Sequence, residues 1–146
     1  MTTHIPLWIL FGLLSAVFAS LVAIFGKMGL QKVDPTLATA IRSVIMASFM
    51  IVTAASLGKF TGVSVDTLNG KEWLLIALAG VAGALSWLFY FSALRMGPAS
   101  AVAALDRLSV AFVIIFSLLF LGEAFKWKTI LGGLLIVLGA LLIVFV

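Results

Sequence analysis

The sequence predicts an all-α integral membrane protein with five transmembrane helices, and three observations predict it. Of its 146 residues, 64% are hydrophobic and only 10% are charged, against roughly a quarter charged in an ordinary soluble domain. The mean hydropathy of +1.35 leaves too little polar surface to cover a core in water, so most of the exterior must face lipid. The apolar residues form long unbroken runs rather than the alternation a membrane β-barrel needs, and helices are what remain.

The runs are Leu7 to Gly26, Leu37 to Leu57, Trp73 to Leu94, Ala99 to Leu121 and Thr129 to Val146. Each is near the ~20 residues that cross a ~30 Å hydrocarbon layer at 1.5 Å per residue. Val17 and Ala19 in the first run suit a signal-peptide cleavage site. Met1 to Pro6, however, carry no Lys or Arg, and the run has spanning length, so it is expected to remain as a helix. Asp34 and Pro35 open the second span, and Pro98 opens the fourth where a missing N–H costs nothing. Gly97 suits the end of the third. Trp8, Trp73 and Trp127 stand at the N-terminal-side ends of spans, the headgroup level their amphipathic rings prefer.

Five spans place the two termini on opposite sides of the membrane. Lys59, Lys71, Lys126 and Lys128 lie on the N-terminal side; Lys27, Lys32 and Arg95, with Arg42 close by, lie on the other. The positive-inside rule is silent on such a balance, so both insertions are expected. The net charge is +4, but the nine basic residues are scattered and form no stripe along which nucleic acid would bind. The chain has no cysteine, which removes disulfides and thiol chemistry, and its single histidine is His4. No metal site, cofactor or catalytic residue is therefore expected, and an intramembrane enzyme is disfavoured.

Charged residues inside spans are the sharpest functional signal, because each costs about 2.5–3.5 kcal/mol at the helix centre. Asp106 and Arg107 lie about 12 Å below the surface, counted from Pro98, and Arg42 lies about 9 Å deep by the same count. Adjacent helix positions point about 100° apart, so Asp106 is expected to pair across helices, with Arg42 the nearest partner in depth. Trp87 lies deep in the third span with Tyr90 three residues on, on a neighbouring part of one face. Together with Lys27 above them, these residues sketch a polar vestibule in one half of the bilayer. The alternative is that Asp106 is half of a structural ion pair and that the aromatics are packing. Small residues at Ser15, Ala19 and Ala23, at Ala79 and Gly83, and at Gly132, Gly133 and Gly139 offer seams for helix packing, within the chain or between copies.

The run Ala93, Leu94, Arg95, Met96, Gly97, Pro98, Ala99, Ser100, then Leu121, Gly122 and Glu123, then Gly132, Gly133 and Gly139, resembles the EamA domain of the drug/metabolite transporter superfamily. Lys27, the Asp34 and Pro35 turn, and Arg42 fit as well, so the resemblance covers nearly the whole chain. It implies one half of an inverted-repeat transporter fold, since the usual member carries two such five-helix domains and this sequence carries one without an internal repeat. Asp106, Arg107, Leu108 and Ser109 replace a stretch that often carries proline in the long members, and resemble the short ones. The related small multidrug resistance proteins use a glutamate in the first helix; this first helix has no carboxylate, so that mechanism does not transfer.

The reading is a single EamA-like domain, residues 1–146, acting as a dimeric alternating-access transporter of a small organic metabolite or drug in the cell membrane. Its expected partners are membrane lipid, a small-molecule substrate and a second copy, which the balanced charges permit to be antiparallel. The substrate-binding or coupling residues are expected to be Asp106, Arg107, Arg42, Trp87, Tyr90 and Lys27. The alternative is a non-transporting subunit or scaffold, or one half of a heterodimer.

Overall fold

A computed structural model describes residues 6–61, 69–124 and 126–145; His4 lies outside them. The described residues form six helical segments: α1 Leu7–Gly29, α2 Pro35–Ser56, α3 Gly70–Met96, α4 Ala99–Asp106, α5 Ser109–Leu121 and α6 Trp127–Phe145. Because α4 and α5 share one apolar stretch, five helices are long and apolar enough to cross a membrane.

Local chemistry sets the ends. Lys27 lies in the last turn of α1, where a cation complements the helix dipole, and the helix runs three residues past the apolar stretch. At the start of α2 the Asp34 carboxylate accepts from the N–H groups of Thr36 at 2.9 Å and Leu37 at 3.2 Å, with Pro35 at the first helical position as the sequence implied. The start of α3 is a reciprocal cap. The Asn69 N–H donates to Glu72 Oε2 at 3.0 Å, and the Glu72 N–H donates to Asn69 Oδ1 at 3.2 Å. That pairing starts the helix three residues before its apolar run, at a signature that hydropathy ignores. Among the described residues positive φ occurs at Gly58 and Gly122, both 65°, so left-handed glycines follow α2 and α5, and α3 stops at Met96, just before Gly97, as the sequence implied.

The fourth span differs from the single helix expected. The N–H groups of Arg107 and Leu108 bond to the carbonyls of Ala104 and Leu105, and those of Val110 and Ala111 to Arg107 and Leu108. These are bonds to the third residue back, so the chain tightens there before α-type bonding resumes at Phe112. Such winding inside a helix marks a hinge or a strained sequence. Hydropathy was blind to it because Arg107 and Leu108 stay right-handed, at φ −68° and −61°.

The chain divides into two compact units, Gly29–Arg95, and Met1–Met28 with Met96–Val146. The first holds α2 and α3. In the second, α6 packs against α4 and α5, with Gly133 and Ala140 buried on α6 and Val102 and Ala104 on α4. A Cβ at Gly133 would lie 2.7 Å from Ile114 Cδ1, so the missing side chain is what admits Ile114 and lets α5 and α6 approach. Gly133 therefore belongs to a seam within the chain.

No more than 11% of the most apolar 18 residues of any span are buried, and Phe49, Phe89 and Phe116 are exposed. Lipid solvates such a surface; water would not. Hydroxyls in the spans bond to their own helix, as they must in lipid: Thr39 to the Pro35 carbonyl, Ser43 to Thr39, Thr53 to Phe49 and Ser92 to Leu88.

Candidate functional site

Within the Gly29–Arg95 unit, helical spacing on α3 places Trp87, Tyr90 and Phe91 at i, i+3 and i+4, so the three rings share one face. Trp87 meets Tyr90 edge-on at 5.5 Å and Phe91 at 5.7 Å between ring centroids, both at 79°. Seven residues into α2, Arg42 lays its guanidinium over the indole of Trp87, 3.6 Å from the centroid, and 5.6 Å from the ring of Phe91. A guanidinium over a tryptophan face is a cation–π contact, strongest where water is scarce. Arg42, Trp87 and Tyr90, expected from the sequence, are thus brought together. Phe91, buried at 4% exposure, was missed, although its position one turn after Trp87 carried the signal.

The membrane-surface end of this cluster is charged. Arg95 at the end of α3 stands 3.7 Å from Asp34 at the start of α2. Hydrogen bonds from the N–H of Leu37 and of Thr36, with the Arg95 charge behind them, hold the Asp34 carboxyl below its ordinary value.

In the other unit, Lys27 Nζ donates to the carbonyl of Gly97 at 2.8 Å. This ties the end of α1 to the turn that precedes α4. Asp106 and Arg107 meet each other at 4.0 Å, in the tightened turn between α4 and α5. Arg42, the partner expected for Asp106, lies in the Gly29–Arg95 unit. Adjacent residues point about 100° apart on a regular helix, so the 4.0 Å approach of Asp106 and Arg107 is a long contact between diverging side chains. Their side chains are 39% and 52% exposed.

A cavity of about 390 Å³ opens beside α5 and α6, lined by Ile114, Ser117, Leu118, Glu123, Lys126 and Thr129 among others. It contains none of the six residues expected from the sequence. Its charged members stand at the span ends, where water is close. Among the described residues, no group of three or more His, Cys, Asp or Glu side chains is placed to hold a metal ion.

The EamA-like transporter family model matches residues 6–145. The chain belongs to the EamA-like transporter family. A protein of Sinorhizobium sp named "Uncharacterized transporter in cobO 3'region" is 42% identical over 136 residues, which are 93% of this EamA-like chain and 95% of the relative. No solved structure matches. The family and the relative give this EamA-like protein a transporter role and point away from an enzyme. With five candidate spans, it is a multi-pass membrane protein. The run from Arg95 to Ser100 that carried the resemblance contains Gly97, the carbonyl that Lys27 holds.

Proposed function

We propose that this EamA-like protein is a dimeric secondary transporter of a small organic metabolite or drug, working by alternating access in the cell membrane. The supporting observation is the charged pair in the fourth span, whose side chains are 39% and 52% exposed within one copy. Lipid against those charges costs a few kcal/mol each, whereas a second copy, or a water-filled path bounded by one, removes most of that cost. Secondary transporters place their sites at the interface of inverted repeats, often at interrupted helices. Two copies of a five-span chain, oppositely inserted, supply that geometry, and the balanced Lys and Arg residues permit it.

The chain lacks cysteine, so a single Ser109→Cys is a clean probe of the assembly. In bilayers it should cross-link to a second copy, and native mass spectrometry should give a dimer. A monomer in mild detergent and in bilayers alike overturns the dimer. Purified protein in proteoliposomes should exchange labelled solute across the membrane, and a protein that forms the dimer yet moves no solute from a broad panel is a scaffold instead.

A further inference from the structure

We propose that Arg42 and the α3 aromatic face form a binding site for the anionic group of an organic acid, so that the transported solute is an anion with an apolar or aromatic body. The inference deepens the transporter reading and rests on it.

Arg42 is a half-buried cation inside a span, and none of the described carboxylates of its own unit lies within ion-pair distance of it. The described carboxylates of its own unit are both committed at helix ends: Asp34 to the cap of α2 and to Arg95, Glu72 to the cap of α3. The indole of Trp87 covers one face of the guanidinium at 3.6 Å. It leaves the in-plane N–H groups, which point away from a stacked ring and need acceptors. A carboxylate or phosphate presents two oxygens at the spacing of that fork, and the charge-assisted pair is strong where water is scarce.

Two more features favour an anion. Lys32, Arg42 and Arg95 stand at one end of the unit against a single carboxylate, Asp34, so the entrance field attracts anions and repels amines. Around the fork, the partly exposed rings of Trp87 and Tyr90 present faces and edges that accept many apolar shapes, with the buried Phe91 behind them. An anionic lipid headgroup offers the same oxygens as a soluble acid. Arg42, however, lies roughly 10 Å along α2 from its start and is held down on Trp87 rather than extended to the surface, which favours the soluble acid.

The full chain in detergent is tested by thermal stability with benzoate and indole-3-acetate against benzamide and benzylamine. At least one acid should raise the Tm, the amide and amine should not, and Arg42→Gln should weaken acid binding about tenfold or more. Arg42→Lys keeps the charge but loses the fork; it should weaken binding too, and it serves if the Gln variant fails to fold. Equal stabilisation by amide or amine, no stabilisation by either acid, or acid binding unchanged in the variants overturns the proposal. Nanodiscs of phosphatidylglycerol and of phosphatidylcholine separate the two sources. An Arg42-dependent gain from phosphatidylglycerol to which the acids add nothing assigns the site to lipid and overturns the soluble acid. Proteoliposome flux separates this proposal from the reading beneath it. Uptake of benzylamine without benzoate leaves a transporter and removes the anion site, whereas Arg42-dependent acid binding with no flux leaves the site and removes the transporter.

Discussion

Arg42 and Asp106 are both charges in lipid-spanning segments, yet the fold solves them differently. Arg42 lies on an aromatic plate, and the contact is worth about 0.5–2 kcal/mol depending on how dry the site is. A double-mutant cycle of Arg42→Gln with Trp87→Ala should return a coupling energy in that range; additivity would mean that the stacking contributes nothing. Asp106 meets its sequence neighbour at 4.0 Å, and both side chains are open to the outside of one copy. Asp106→Asn keeps the shape and removes the one carboxylate of the fourth span, so under the transporter reading it should cut solute flux in proteoliposomes while the dimer survives. If Asp106→Asn transports at the normal rate, the coupling residue lies elsewhere.

Among elements, the helix starts and the α5–α6 seam carry the sharpest expectations. At Gly133, an alanine gains up to about 1 kcal/mol of helix propensity and displaces only the tip of Ile114, at about 0.5–1.5 kcal/mol for a strained rotamer. Gly133→Ala should be close to neutral. Gly133→Leu should destabilise by about 1–3 kcal/mol or more through overpacking, and thermal unfolding in detergent distinguishes the two. The Asp34 cap has a pH signature whose sign follows from its lowered pKa. Its stabilisation is complete above the ordinary carboxylate range and is lost as pH falls through the depressed folded value. Asp34→Asn caps without a charge and should flatten that acid limb while keeping most of the stability; Asp34→Ala should lose both. An acid limb that persists in Asp34→Asn would assign it to another carboxylate.

For the whole molecule, insertion is the open physical question, since Lys and Arg are balanced across the two sides. Single cysteines at Asn69 and Met96 mark opposite membrane surfaces at span ends. In intact cells both should label with an impermeant reagent if the chain inserts both ways, and strong labelling at only one of them would sink dual topology. The same substitutions report on the Ser109→Cys dimer, because oppositely inserted copies expose Asn69 of one and Met96 of the other on the same side.

Hydropathy and length by themselves determined the number of spans, because a charged or irregular backbone in lipid is too costly for the pattern to be ambiguous. The Asp34–Pro35 start and the shared face of Trp87 and Tyr90 were equally legible, since caps and helical periodicity are local. The reciprocal cap of Asn69 and Glu72 is a local signature too, but hydropathy does not carry it because the apolar run begins three residues later. What only the tertiary structure decided is which charge meets which group: Arg42 on Trp87, Lys27 on the Gly97 carbonyl, Asp106 with Arg107. Depth along a span can be counted from sequence, but the rotation of one helix against another cannot.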